Sequence, residues 1–406
     1  MFLRIAGIAL ALTQAAIADW PQFLGPARDG VYHGPAIAAE WPQNGPVVLW
    51  EHAVGSGWSG PVATKDRVIV FHRVDDQEVV ECLALDSGKP IWKTTFATHY
   101  VDGFGFDSGP RATPTIHDDR VFLFGAEGGL HCVDLKDGKT LWSNDLQKTL
   151  RAPTGYFGLA CSPLIAGDLV VLNVGAPQKA GIVAFDIRSG KLAWQSTDDE
   201  ASYSSPILAK LAGRQQAIFF TRHTLFGLDP ASGKELWKQP WSPAMQASVS
   251  AAVPVIANDI VFATASYGAG AIALRVSPDG VRKLWEGDDS LSAQYQTPVL
   301  HQGHLFGFHG RLDTGPRPRF RCVELATGRV KWSSQKVDAG SLTRVGHDAL
   351  LLTVNGELIR VKLSAEGFSE HGRTQILGLE VRAHPALSNG RFIARDKRRL
   401  VCVDLR

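Results

Sequence analysis

Three short acidic runs are the first residues of this sequence whose types could bind a metal ion. Residues 75–76, 198–200 and 288–289 consist only of Asp and Glu, whose carboxylate oxygens suit a hard cation such as Ca²⁺. Each run lies in a turn-rich stretch, where adjacent acids are usually solvated turn residues. His301 and His304 flank a Gln-Gly pair, which favours a β-hairpin over a metal site. We therefore expect no metal site.

The five cysteines do not form a recognisable chemical motif. They are odd in number and scattered, with no adjacent pair and no Cys-x-x-Cys, which argues against a disulfide framework and a zinc site. We interpret them as small buried hydrophobic residues. The sequence also lacks a Gly-x-Ser-x-Gly elbow, a His-Glu-x-x-His motif and a phosphate-binding loop, so we expect no catalytic residue. The cysteines are Cys82, Cys132, Cys161, Cys322 and Cys402.

Arginine and tyrosine residues in long connections are the candidate binding residues. The longest connection, residues 94–111, contains three aromatic residues in its part from 99 onward and ends at Arg111. Long connections without regular structure are usually functional or disordered, and aromatic residues argue against disorder. We expect Arg111 and Tyr156 to contribute to binding without holding the fold, on a surface suited to proteins, carboxylates or glycans. Analogous loops add Arg151, Tyr203, Arg222, Tyr267 and Arg311.

A repeated phrase identifies the elements that must position these loops. It consists of an acidic residue, a short turn ending in Gly, and then Trp, and its Trp residues are 43 to 52 positions apart. This period is typical of four-stranded propeller blades. The glycine provides the positive φ of a tight hairpin, and the tryptophan is predicted to dock on the neighbouring blade from the outermost strand. The docking residues are Trp50, Trp92, Trp142, Trp194, Trp237, Trp285 and Trp332.

A second phrase marks the first strand of each blade. A proline followed by an aliphatic run occurs seven times, and Ser341 opens a variant at the same spacing, which gives eight blades. The last repeat ends near Asp404 without an outer strand, and residues 47–54 supply one. The sequence therefore predicts an all-β, eight-bladed propeller of four-stranded antiparallel blades, closed by the N-terminal strand. Six or seven blades are the alternatives. The prolines are Pro61, Pro114, Pro163, Pro206, Pro254, Pro298 and Pro385.

The repeat resembles the quinoprotein-dehydrogenase-like (PQQ-like) propeller family over residues 47–406, and the opening Trp20 to Gly30 is similar to the leader of exported members. It also resembles the outer-membrane assembly lipoprotein (BamB-type) scaffold. That lipoprotein class needs a cysteine just after cleavage, and this chain has none before Cys82. Quinoprotein dehydrogenases hold PQQ and Ca²⁺ in the central funnel, and the methanol-type enzymes place adjacent cysteines beneath the quinone. This sequence has no such pair.

The N-terminal residues predict export. Arg4, an apolar stretch and the small-x-small sequence Ala16-Ile17-Ala18 are typical of a signal peptide cleaved after Ala18. A buried N-terminal helix is the alternative. We expect residues 1–18 to be the signal peptide, 19–46 a leader segment and 47–406 the propeller. No later stretch is long and apolar enough to span a membrane.

The composition excludes some partners and leaves two functions open. The 406 residues are 45% hydrophobic and 20% charged, with a formal net charge of +2, so nucleic acid is not expected as a partner. We predict a periplasmic or extracellular, monomeric, non-catalytic binding or scaffolding propeller without a cofactor. It would engage a protein, glycan or small anionic ligand at the funnel face. The alternative is an alcohol or sugar dehydrogenase that depends on PQQ and calcium.

Overall fold

The repeated phrases form the strands of eight sheets arranged around one axis. The structure is a computed structural model, and it describes residues 19–245 and 248–406. The predicted signal peptide and its cleavage site lie outside these residues. Within them the structure contains 33 strands and a single five-residue helix, α1 (Leu146–Leu150). The predicted all-β, eight-bladed propeller is confirmed.

In each blade the strands run from the axis to the periphery. Blade 1 contains β3 (Val62–Ala63), β4 (Arg67–Val74), β5 (Gln77–Ala84) and β6 (Pro90–Ala97), and blade 2 contains β7 (Thr115–His117), β8 (Arg120–Phe124), β9 (Gly129–Asp134) and β10 (Thr140–Asp145). Blade 3 contains β11 (Leu164–Ala166), β12 (Leu169–Ala176), β13 (Ala180–Asp186) and β14 (Leu192–Ser196), and blade 4 contains β15 (Ile207–Leu211), β16 (Arg214–Phe220), β17 (Thr224–Leu228) and β18 (Glu235–Pro240). Blade 5 contains β19 (Val255–Ala257), β20 (Ile260–Ala265), β21 (Gly270–Ser277) and β22 (Gly280–Gly287), and blade 6 contains β23 (Val299–His301), β24 (His304–His309), β25 (Arg319–Glu324) and β26 (Val330–Ser334). Blade 7 contains β27 (Gly340–Val345), β28 (Asp348–Thr353), β29 (Glu357–Lys362) and β30 (Ser369–Gln375), with β1 (Val31–Tyr32) added, and blade 8 contains β31 (Ala386–Ser388), β32 (Arg391–Arg395), β33 (Arg399–Asp404) and β2 (Val47–Ala53).

The N-terminal strand closes the ring, as predicted. Strand β2 pairs antiparallel with β33, from Val47 opposite Asp404 to Ala53 opposite Arg399. The last blade therefore gains its outer strand from the beginning of the propeller, and no edge between the first and last repeats is left unpaired.

The tryptophans of the repeat dock on the following blade. The indole nitrogen of Trp92 donates to the carbonyl of Leu135 at 2.9 Å, and that of Trp142 donates to the carbonyl of Ile187 at 3.0 Å. The repeat glycine has a second role here, because a Cβ on Gly138 would lie 2.4 Å from the ring of Trp92. The glycine is thus required by both the turn and the neighbouring tryptophan. Trp237 departs from the pattern and donates to Gln216 of its own blade at 2.7 Å.

The leader segment inserts into the axis of the propeller, which the sequence did not predict. Residues 19–32, here called the axial finger, enter antiparallel to β3, where Trp20 and Ala63 exchange two backbone hydrogen bonds. The finger leaves as β1, which pairs parallel with β27 and gives blade 7 a fifth strand. The other seven blades have the predicted four strands.

The alternating strand directions define two faces. Each inner strand begins at the funnel face and runs to the opposite face, so the connection between second and third strands also lies at the funnel face. The hairpins carrying the repeat glycines join third to fourth strands and lie at the opposite face. No helix among residues 19–245 and 248–406 is long and apolar enough to cross a membrane.

Candidate functional site

All eight blades line a central cavity at the funnel face, here called the cup. Its volume is about 200 Å³. One position recurs in its lining: the residue three before each first-strand proline. Blade 7 contributes Ser341 instead. The lining residues at the recurrent position are Trp58, Arg111, Ala160, Tyr203, Ala251, Tyr295 and Arg382.

The tip of the axial finger forms the floor of the cup. Phe23 lines the cup and packs edge-on against His384, with ring centroids 5.7 Å apart. Behind it, Arg28 is fully buried, and its guanidinium donates to the carbonyls of Ser162, Pro163 and Pro206. These carbonyls come from the starts of blades 3 and 4, so one side chain ties the finger to two blades.

Burial lowers the pKa of Arg28 to about 10, which still leaves the guanidinium charged at neutral pH. The backbone at the tip is strained, because Leu24 and Arg28 both have positive φ, 61° and 55°. L-residues adopt this conformation only where the surrounding structure imposes it. The carbonyls that receive the guanidinium supply that constraint for Arg28.

Arg111 lines the cup, but its guanidinium is committed to the protein itself. It donates to Asp102 at 2.8 Å, and the two side chains are only 7% and 0% exposed. Asp102 also accepts from the backbone of Phe104 and Asp107, so this ion pair organises the long loop after blade 1. Arg111 thus forms a buried ion pair, and the expectation that it contributes to binding without holding the fold stays a prediction.

Arg382 is a cation in the lining that sequence reasoning missed. Its guanidinium lies 4.8 Å from the ring centre of Trp58 and 5.7 Å from that of Tyr295. The guanidinium of Arg111 contacts the same indole at 4.7 Å. Arg382 makes no hydrogen bond and no ion pair within the described part of the chain. Its charge is therefore stabilised by aromatic rings alone.

Several polar atoms in the cup wall lack a partner. The indole nitrogen of Trp58 and the hydroxyl of Tyr295 are buried without a hydrogen bond to any described residue. Burial raises the pKa of Tyr295 to about 12, so its hydroxyl is protonated and can donate. Burial lowers the pKa of His384 to about 4, so this imidazole is neutral. The wall thus presents unpaired donors beside the cation of Arg382.

An aromatic cluster extends the cup onto the surface. Phe104 stacks on Phe157 at 5.1 Å and contacts Tyr156 at 5.9 Å, and Phe157 packs against Tyr203 at 5.5 Å. Phe106 and Phe157 also line the cup. Phe104 and Phe106 are about half exposed. We call Phe104, Phe106, Tyr156, Phe157 and Tyr203 the aromatic rim.

Tyr267 and Arg311 lie on the wall between the cup and a second cavity. The guanidinium of Arg311 is 4.0 Å from the ring centre of Tyr267, and it binds both oxygens of Asp313 at 2.9 and 2.8 Å. The second cavity has a volume of about 610 Å³ and lies between blades 5 and 6. We call it the basic cleft, lined by Arg311, Arg317, Arg319 and Arg321 among others.

The other two candidates do not join the cup. Arg151 caps the C-terminal end of α1 with a left-handed backbone, φ 59°. Arg222 donates to the carbonyl and hydroxyl of Ser248, at 2.9 and 3.0 Å, and so connects blades 4 and 5. Of the seven candidates, three line the cup, Tyr156 joins the aromatic rim and Arg311 lines the cleft. The three are Arg111, Tyr203 and Tyr267.

The lining residues do not fit a calcium-bound quinone. Calcium takes six to eight oxygen ligands. Among the described residues that line the cup, Asp313 is the one carboxylate, and Arg311 already binds it. Among the described residues, no group of three or more His, Cys, Asp or Glu side chains is placed to hold a metal. The five cysteines are free and buried in separate strands and loops, and burial raises the pKa of each to about 11 or 12.

Comparisons with solved structures agree with this fold. BamB from Moraxella catarrhalis superposes with a TM-score of 0.61 at 14% identity, over 88% of this chain and 97% of that chain. A quinohemoprotein alcohol dehydrogenase from Pseudomonas putida HK5 gives a TM-score of 0.63 at 10% identity, over 96% and 80%. At these identities, the two structures show the fold alone.

Curated relatives point to the same two groups. A quinoprotein ethanol dehydrogenase of Pseudomonas putida is 24% identical over 175 residues, 39% of this chain and 27% of the relative. The BamB protein of Burkholderia pseudomallei (strain K96243) is 23% identical over 200 residues, 48% of this chain and 46% of the relative. The match thus spans less than half of either relative. A family model described as outer membrane protein assembly factor BamB matches residues 75–334, more than half of the chain. This chain therefore belongs to the BamB-like family of PQQ-like repeat propellers.

Proposed function

We propose that this protein is an exported, non-catalytic binding propeller whose cup receives a carboxylate group carried by a segment of a partner protein. The observation that carries the proposal is Arg382, a half-buried guanidinium in the cup wall with no carboxylate partner among the described residues. Arg111 and Arg311 are neutralised by Asp102 and Asp313. The cup therefore retains one unbalanced positive charge and favours one negative group.

The surroundings of Arg382 favour a polypeptide over a free anion. The aromatic rim leads from the surface into the cup, and exposed aromatic residues of this kind anchor protein interfaces. A C-terminal carboxylate next to an apolar side chain would suit both the aromatic rim and Arg382. The side chain would pack on the rim, and the carboxylate would pair with Arg382. The hydroxyl of Tyr295 could donate to the second carboxylate oxygen.

The names of the relatives support a binding role without deciding it. One group consists of outer membrane protein assembly factors, and the other of quinoprotein dehydrogenases. A dehydrogenase would need a metal and quinone site, and the donor set of the cup argues against one. We propose accordingly that the protein acts without PQQ or calcium.

The proposal is tested by titrating the protein with N-acetyl-Leu-Phe as the free acid and as the C-terminal amide. These probes differ in one charge, and calorimetry measures both affinities. We expect the acid to bind at least about tenfold more tightly than the amide, because charge-assisted hydrogen bonds contribute about 1.5–3 kcal/mol.

A pair of variants assigns the difference to the cup. Arg382→Gln should reduce the affinity for the acid to that for the amide. Arg188→Gln, which removes an exposed arginine at the opposite face, should leave the difference intact. Equal affinities for acid and amide in the unmodified protein, or no measurable binding of either, would contradict the proposal.

A further inference from the structure

The basic cleft concentrates arginines without matching carboxylates. Asp288 is the one acidic residue among the described residues that line it, against four arginines. Arg311 pairs with Asp313, and Arg317 pairs with Asp338. The remaining two arginines, Arg319 and Arg321, have no carboxylate within salt-bridge distance in the described residues. Among the described residues, the lining of the cleft therefore carries a net positive charge, which Asp288 and Asp289 offset only in part, from beyond salt-bridge distance of Arg321.

Arg321 is held in place without being neutralised. Its guanidinium donates to the backbone carbonyls of Asp289 and Ser290, at 2.6 and 2.7 Å, and to the hydroxyl of Ser333 at 3.3 Å. These acceptors carry no net charge. They fix the side chain, and such fixation lowers the entropy lost when an anion binds. Arg319 makes no hydrogen bond in the part of the chain that the structure describes.

The two arginines point to the same side of their strand. Arg319 and Arg321 are two residues apart on β25, so their side chains project from one face of the sheet. On the neighbouring strand β24, His309 is directly opposite Arg319. Two guanidiniums on one face of a strand can donate to different oxygens of a tetrahedral oxyanion.

The positive charge of the cleft contributes to the pKa shifts of its titratable groups. Burial lowers the pKa of His309 to about 4, and the positive charges of Arg321 and Arg319 act in the same direction. The pKa of Arg321 is lowered by burial and then by Arg319. His309 is therefore neutral at physiological pH and competes with neither arginine for an anion.

The cleft also has room for a ligand. Its volume is about 610 Å³, and the small residues Gly268 and Gly315 border open space, with no atom within 4 Å of an added Cβ. We propose that the basic cleft binds a phosphate monoester in its dianionic form, gripped by Arg319 and Arg321. A single carboxylate would compensate only one of the two charges. The cleft is thus a second binding site, independent of the proposed carboxylate site in the cup.

The probes are inorganic phosphate and phospholipid vesicles. Calorimetry with phosphate at constant ionic strength measures the soluble ligand. Sedimentation measures binding to phosphatidylcholine vesicles that contain phosphatidic acid, whose headgroup is a phosphate monoester. Vesicles with phosphatidylglycerol, a singly charged diester, are the matched lipid control. Binding in the soluble arm, in the phosphatidic acid arm or in both supports the proposal and identifies the source of the phosphate group.

Variants of the cleft decide whether binding occurs there. The double change Arg319→Gln and Arg321→Gln should weaken binding at least tenfold, whereas Arg382→Gln in the cup and Arg188→Gln at the opposite face should leave it unchanged. The proposal is overturned if neither probe binds, if phosphatidylglycerol binds as well as phosphatidic acid, or if binding survives the double change. Because Arg321 also donates to the carbonyls of Asp289 and Ser290, a thermal melt of the double variant measures the stability lost with these hydrogen bonds, and binding is compared at a temperature at which both proteins are folded.

Discussion

The cup and the basic cleft lie side by side at the funnel face, and they differ in how their cations are balanced. In the cup wall, Arg111 is paired with Asp102, and Asp313 is paired with Arg311 of the cleft. Arg382 contacts aromatic rings and has no carboxylate partner among the described residues. In the cleft, Arg319 and Arg321 both lack a carboxylate. Under the two proposals, neighbouring loops on one scaffold would select one negative charge beside aromatic rings and two negative charges beside a pair of arginines.

The two sites also differ in what holds them together. The cup depends on buried elements, namely the axial finger beneath it and the Arg111–Asp102 pair in its wall. The cleft combines strand residues, such as Arg319 and Arg321, with surface loops, and its Arg317–Asp338 pair is partly exposed. Removing Arg28 or breaking the Arg111–Asp102 pair should therefore affect folding as well as binding, whereas breaking the Arg317–Asp338 pair should cost little stability.

The largest expected effect on stability comes from a substitution in the axial finger. Arg28→Met removes a buried guanidinium and leaves the carbonyls of Ser162 and Pro206 without a strong donor, while the Thr115 hydroxyl still donates to Pro163. The free energy of unfolding should therefore fall by more than about 4 kcal/mol. Urea unfolding measures it, with Arg188→Met as the exposed control. The folded fraction should lose peptide binding in the cup and retain phosphate binding in the cleft. A loss below about 1 kcal/mol would show that the finger is not held by Arg28.

Removing Arg111 from the cup wall should have the next largest effect on stability. Arg111→Ala leaves Asp102 buried and unpaired, and breaking a buried ion pair costs about 3–5 kcal/mol. We expect the melting temperature to fall clearly, and the companion change Asp102→Asn to be milder because it removes the unpaired charge. An unchanged melting temperature for Arg111→Ala would support the sequence-based expectation that this arginine acts in binding alone.

A buried acid away from both sites should make stability depend on pH. Burial raises the pKa of Glu78 from 4.5 to about 7, so the folded state binds its proton more tightly than the unfolded state. Its contribution is present below pH 4.5 and is lost as the pH rises to about 7, by about 3 kcal/mol. Glu78→Gln should remove this dependence in urea titrations at pH 5 and pH 8. An identical pH dependence in the variant would contradict the assignment.

The smallest effect on stability should come from a substitution in the cleft. Arg317 pairs with Asp338 at the surface, where its side chain is 53% exposed, and such pairs contribute about 0–1 kcal/mol. Arg317→Gln should leave the unfolding free energy within 1 kcal/mol of the unmodified value. A loss of 3 kcal/mol would remove the distinction between a buried cup and a peripheral cleft.

The periphery of the molecule could be predicted from the sequence because it repeats. The Gly and Trp of each phrase recur at nearly constant spacing, and Gly138 beneath Trp92 shows why both are needed in each blade. The closing strand could be predicted because the last repeat lacked an outer strand and the chain had an unassigned strand ahead of the first blade. The recurrent position three before each first-strand proline was also visible, and it would have identified Trp58, Tyr295 and Arg382.

The structure at the propeller axis could not be predicted in this way. The axial finger has no repeat, and Arg28 binds backbone carbonyls 134 to 178 residues away, which any sequence could supply. The role of Arg111 was hidden because its partner Asp102 lies in the same irregular loop. The sequence did not reveal the cleft, because other residues separate its arginines and they form no continuous basic run. The alternation of Arg319 and Arg321 along a strand was the signal that could have found it.

The measurement that tests the account most directly is a titration of the purified protein with PQQ and Ca²⁺. Calorimetry gives the affinity, and dye reduction over a panel of alcohols and aldose sugars gives the activity. We expect no saturable quinone binding and no Ca²⁺-dependent dye reduction, because Asp313 is the one carboxylate among the described residues of the cup lining and is paired with Arg311. Micromolar or tighter quinone binding together with Ca²⁺-dependent dye reduction would contradict it and identify the protein as a dehydrogenase.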